Sequence, residues 1–207
     1  MYIYAFGSIC RGEVDYSSDI DMLAIVDTEN KQFDPLAYSI YSKARLQELW
    51  LQGNPFAWHL YLESKLIFSR DGIDFVSSMG APKKYSHGIQ DCKKFYDIFL
   101  KAKEELLGSG FSETFDLSTI FLSIRNFATC YSLQYSSIPC FSRDSALNIG
   151  CQSLCMDYDA YEIFKRARIL CTRGVGDPLT VAEVDVAKKH LEKISGWMES
   201  ILGVLCK

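Results

Sequence analysis

The stretch from Tyr4 to Val26 constrains what this chain can fold into more than any other. An apolar segment ends in Phe6-Gly7-Ser8, and a polar loop runs through Arg11-Gly12. Ser18-Asp19-Ile20-Asp21 then leads into Met22-Leu23-Ala24-Ile25-Val26. The pattern predicts a strand, a Gly-Ser turn, a loop and a second strand. Side chains alternate across a strand, so Asp19 and Asp21 are expected on one face, with Ile20 and Met22 on the other in apolar packing. Two carboxylates side by side repel unless a cation sits between them. Oxygen-only ligands suit Mg²⁺, which fills its remaining positions with water and phosphate oxygens. Glycine at position 7 lets backbone approach a phosphate without a Cβ in the way, which makes Gly7-Ser8 the phosphate end of such a site. The same residues also fit a hairpin with a polar loop, in which both acids belong to the solvated face of an edge strand. That alternative leaves unexplained why an acid alternates with Ile and Met at the head of an apolar run.

Phe6-Gly7-Ser8, Arg11-Gly12 and Ser18-Asp19-Ile20-Asp21, in that order and spacing, resemble the signature of the polymerase-β-type nucleotidyltransferase superfamily. The similarity is greatest to its minimal and aminoglycoside nucleotidyltransferase branches and covers about a tenth of the chain. The resemblance implies a small mixed sheet and a site that takes Mg²⁺ and a nucleoside triphosphate, with ATP as the donor. It implies Asp19 and Asp21 as the catalytic, metal-holding acids and Gly7, Ser8, Arg11 and Ser18 as nucleotide contacts. The implied reaction moves a nucleoside monophosphate to a hydroxyl of a small, aminoglycoside-like molecule or of a protein. Two departures stand out. In the family a helix usually precedes the first strand, whereas here the strand starts almost at Met1. The family's third carboxylate falls at or near Ala37, with Asp34 and the remoter Glu63 as substitutes. Without a third acid, the alternative is a nucleotide-binding or protein-interaction module with impaired catalysis.

At 207 residues the chain has room for one large domain or two small ones, and 48% hydrophobic content supports a core. No signal peptide is expected, and no apolar run is long enough for a bilayer, so the reading is cytoplasmic with no membrane partner. The eight cysteines form no Cys-x-x-Cys pair and have no His at ligand spacing, which predicts free, mostly buried thiols. Cys151 and Cys155 are expected on one buried helix face. Residues 1–80 carry 6 basic and 11 acidic residues and the remainder 16 and 15, so there is no basic stripe for DNA or RNA. A small cationic or protein acceptor fits better, and a second copy of the chain is a further candidate partner.

The expected fold class is α+β. A small mixed nucleotidyltransferase sheet with helices occupies residues 1–80, and an antiparallel helical bundle occupies residues 81–207. Strands are expected at Tyr2–Phe6, at the acid-led run, at Leu36–Tyr41 and at Leu66–Phe68. Helices are expected at Ser42–Gln52 and from Phe56, the latter carrying His59 as a core-edge residue. Ile73 to Gly88 breaks both periodicities and reads as a linker. Four long helices follow, at Asp91–Leu107, Ser118–Gln134, Leu154–Leu170 and Val181–Leu205. The segments around Arg125 and Arg143 weakly resemble the family's helical partner domains, including HEPN-type bundles. No His follows Arg125 at the HEPN position, so RNA cleavage is not expected. Arg125 and Arg143 are read either as phosphate contacts or as partners of acids within the bundle.

Overall fold

The computed structural model describes residues 1–13, 20–26, 33–108 and 111–205. It is an α+β protein in which a small mixed sheet with helices is followed by a helical bundle. The chain divides into two compact units, Met1–Ser86 and His87–Lys207.

The first unit contains β1 (Tyr2–Phe6), α1 (Ser8–Arg11), β2 (Asp21–Ile25), β3 (Tyr38–Tyr41), α2 (Lys43–Gln52), α3 (Pro55–Glu63), β4 (Ser64–Ser69) and α4 (Phe75–Ser78). The sheet order is β3-β2-β1-β4. β1 runs antiparallel to β2 and β4, and β2 pairs in parallel with β3. Alternation on β1 sends Tyr2, Tyr4 and Phe6 to one face. The antiparallel register sets them opposite Ile25, Leu23 and Asp21. That face is covered by Leu46, Leu49 and Trp50 of α2, Ala57 and Leu60 of α3 and Val76 of α4, forming the core. Burying each of the Leu and Val side chains there stabilises the unit by about 1.5–3 kcal/mol. Asp21 is therefore the polar end of a row whose other members are core residues.

This corrects the expected face of β2. Leu23 and Ile25, on the Asp21 face, belong to the core, whereas Ile20 lies outside the strand and is 57% exposed. β3 starts two residues later than Leu36, because the Asp34 carbonyl accepts from both Ala37 N–H and Tyr38 N–H and holds a turn. Residues 64–69 form a full strand directly after α3, with Ser64 already extended. The expected linker is also ordered. Asp74 caps α4, Tyr85 is 2% exposed, and two indoles donate into the segment: Trp50 Nε1 to Gly80 O at 2.9 Å and Trp58 Nε1 to Lys83 O at 3.0 Å.

The second unit contains α5 (Gly88–Leu107), α6 (Glu113–Tyr135), α7 (Tyr158–Arg173), α8 (Val181–Lys189) and α9 (Leu191–Leu205), with two 3-10 turns at Ser145–Leu147 and Gly150–Gln152. α6 is antiparallel to both α5 and α7. Gln134 at its C-terminal end accepts from Gly88 N–H at the start of α5, and Thr114 near its N-terminal end accepts from Cys171 near the end of α7. α6 starts at Glu113, five residues before the expected start, because the Ser112 hydroxyl accepts the Phe115 N–H and caps it there. The expected last helix is two helices that break at His190, the first entered through a capping box at Thr180 and Glu183. α7 begins at Tyr158, so Cys151 and Cys155 lie before it and are exposed rather than buried. Of the seven described thiols, Cys92 and Cys130 are buried and all are free.

Candidate functional site

The turn after β1 is built around Gly7. Its backbone stands at φ +76°, ψ −139°, a region essentially closed to residues with a Cβ. A Cβ placed there would lie 2.7 Å from Asp21 Oδ2. The missing side chain is thus what lets the Asp21 carboxylate approach the turn. Strand pairing enforces the approach, since Phe6 is the register partner of Asp21. α1 follows at once, and the N–H groups of Ser8 and Ile9 in its first turn have no intrahelical acceptor by geometry. Gly12 closes α1 in the left-handed conformation. Asp21 and Ser8 are half-buried.

Arg11, at the end of α1, is held by two carboxylates. Its Nε and Nη2 reach Glu13 Oε2 at 2.9 and 2.8 Å, and its Nη1 donates to Glu63 Oε2. Glu63 also lies 2.9 Å from His59 Nε2, one turn back on α3. Burial works to raise the Glu63 carboxyl, but His59 and Arg11 outweigh it and hold the group below the ordinary carboxylate value. The Glu63 carbonyl accepts the Gly7 N–H at 3.2 Å, so Glu63 flanks the turn on the β4 side as Asp21 does on the β2 side. His59 packs edge-on against Phe6, with ring centroids 5.6 Å apart.

The structure thus brings Gly7, Ser8, Arg11 and Asp21 together around one turn. Asp19 and Ser18 lie outside the described residues. Continuing the β2–β3 register back by one residue sets Ala37 level with Asp21. Of the substitutes for a third acid, Asp34 accepts the Leu36 N–H at 2.9 Å within its own turn, and Glu63 is engaged by Arg11 and His59. In the second unit, Arg125 Nη2 donates to Phe141 O at 2.9 Å, tying α6 to the following loop, and Asp144 pairs with Lys165 at 3.0 Å. The Glu63 cluster is the part that sequence reasoning missed as a unit. The i,i+4 spacing of His59 and Glu63 was its one local signal.

Among the described residues, no group of three or more His, Cys, Asp or Glu is placed to hold a metal ion, and no helix is long and apolar enough to cross a membrane. The space a Gly7 Cβ would enter is taken by the Asp21 carboxylate, and a carboxylate oxygen is a donor whose chemistry fits a hard cation such as Mg²⁺. No protein-family model matches the chain, and no curated protein matches it.

Proposed function

We propose that the first unit is a nucleotide site of the polymerase-β nucleotidyltransferase type. In this reading it binds a nucleoside triphosphate, ATP as the donor, with Mg²⁺ and transfers the nucleoside monophosphate to a hydroxyl of a small molecule or a protein. The observation that carries the reading is the 2.7 Å approach between the Gly7 Cβ position and Asp21 Oδ2, which combines a Gly-only turn with the carboxylate that the motif requires. Asp21, with Asp19, would hold the cation. Bound Mg²⁺ supplies positive charge that neutralises phosphate oxygens. Gly7 admits a phosphate close to backbone, and Ser8 offers its hydroxyl and an amide of the α1 turn. Arg11 is the cation for the departing pyrophosphate. Around the turn, Asp21, Glu13 and Glu63 outnumber Arg11, so the chain's own charges oppose a bare triphosphate and binding requires the metal.

A second reading, a nucleotide-binding or interaction module with little turnover, is favoured by Ala37. It lies one residue before the Met22–Tyr38 pair, at or near the position where the resemblance expects the third carboxylate. No side chain at that position can orient or deprotonate an acceptor hydroxyl.

The test is thermal stabilisation by each of the four nucleoside triphosphates, with and without Mg²⁺, in the wild type and Asp21→Asn. At 100 times the dissociation constant, a ligand specific for the native state adds about 2.7 kcal/mol. Mg²⁺-dependent stabilisation that disappears in Asp21→Asn is expected. No shift with any nucleotide, in two folded proteins, refutes the nucleotide reading. Binding without transfer to hydroxylated small molecules or proteins selects the second reading over the first.

A further inference from the structure

Glu63 touches the candidate site in two ways at once. Its carbonyl accepts the Gly7 N–H, and its carboxylate accepts from Arg11 Nη1 while lying 2.9 Å from His59 Nε2. The other edge of the Arg11 guanidinium, Nε and Nη2, is taken by Glu13. A guanidinium carries five N–H donors. These contacts use three, so among the described residues Nη1 and Nη2 each keep one N–H. Donors on the two terminal nitrogens are suited to clamping two oxygens of a phosphate.

We propose that Glu63 is a positioning residue for phosphate recognition: oriented by His59, it fixes Arg11 beside the Gly7 turn, with the remaining donors set for the terminal phosphates of a triphosphate. The inference rests on the nucleotide reading of that turn. A long arginine side chain on a four-residue helix would otherwise sample many rotamers. Fixing it beforehand removes an ordering cost from the binding step. The network is anchored to the sheet, because His59 packs on Phe6, the residue before Gly7. Arg11, Glu63 and His59 side chains are only 14–19% exposed, which shields the pairing from solvent.

The test is calorimetric titration of the full chain in Mg²⁺ with the triphosphate that binds most tightly and with its monophosphate. The variants are Glu63→Gln, Arg11→Ala, the double variant and His59→Phe. Glu63→Gln removes a carboxylate that repels phosphate as well as the charge-assisted hydrogen bond that holds Arg11; the positioning role requires the second effect to win, weakening the triphosphate by up to about tenfold and leaving the monophosphate within about twofold. Arg11→Ala should do at least as much, and adding Glu63→Gln to it should weaken binding no further, because the two act as one unit. His59→Phe keeps a ring against Phe6 and should give a smaller loss in the same direction. Equal weakening of both nucleotides by Glu63→Gln, or additive losses in the double variant, overturns the positioning role and leaves the nucleotide reading standing. A wild type that binds no triphosphate overturns that reading and this inference with it.

Discussion

Gly7→Ala separates backbone strain from the contact with Asp21. The new residue must keep φ +76°, ψ −139°, which costs about 1–3 kcal/mol for anything but glycine. Its Cβ would also sit 2.7 Å from Asp21 Oδ2, against the 3.4–4 Å of ordinary contact. The carboxylate is the end of a side chain and can rotate aside, adding about 0.5–1.5 kcal/mol of off-rotamer strain. A loss of about 2–4 kcal/mol follows. In a unit of 86 residues each kcal/mol shifts the midpoint by about 4–8 °C. Trp50 and Trp58 report on the first unit once Trp197 is replaced by Phe, so urea unfolding followed by tryptophan fluorescence reads it alone. Gly12→Ala is the control: it has the same φ of +76° but nothing within 4 Å of its Cβ, and should cost only about 1–2 kcal/mol for the left-handed conformation. In an Asp21→Ala background, Gly7→Ala should cost about 0.5–1.5 kcal/mol less, the part due to the carboxylate, and keep the strain of its own backbone region at ψ −139°. A Gly7→Ala cost no larger than that of Gly12→Ala, or one unchanged by Asp21→Ala, refutes the close approach.

Acid should weaken the first unit through two carboxyls. Glu63 is held below its ordinary value, and the Tyr2 and Ser69 hydroxyls hold Asp71 down to about 2. Depressed groups contribute stability above their unfolded pKa and lose it as pH falls through the folded one. The urea midpoint should therefore fall progressively below about pH 4.5, and less steeply in Glu63→Gln than in wild type. Tyr4→Phe removes the buried hydroxyl that accepts the Val76 N–H at 3.0 Å and donates to Asp74 at 2.8 Å, and should cost about 1–3 kcal/mol by the same fluorescence assay. Thr180→Ala breaks the capping box that starts α8 and should cost about 1 kcal/mol, read by circular dichroism of the whole chain.

The parts of the fold written in short periods were legible in the sequence. β1 and the bodies of α5 and α6 follow from alternation and helical spacing, and a sheet followed by a bundle follows from their order, whereas the mixed pairing of the strands was implied only by the resemblance. Boundaries without punctuation were not legible. Ser64 switches from helix to strand with no Gly or Pro, and α8 gives way to α9 at His190, in a run whose apolar spacing continues across the break. The site divides in the same way. Gly7 and Asp21 belong to one local motif, whereas Arg11 and Glu63 are 52 residues apart and meet only because the sheet sets Phe6 beside Ser64. No periodicity carries that pairing.

The segment around Lys83 and Lys84 reads as exposed linker and presents two trypsin sites, yet it is stitched to α2 and α3. Trp50 and Trp58 donate into it, and Lys83 N–H donates back to Trp50 O at 3.0 Å. A protease needs several residues of extended, detached chain, so cutting here requires these bonds to open first. Tryptic nicking at Lys83 and Lys84 is therefore a clock for local opening of the first unit, slowed by anything that stabilises it. An expression fragment ending at residue 80 would discard the backbone that receives the Trp58 indole, whereas one ending at 86 retains it.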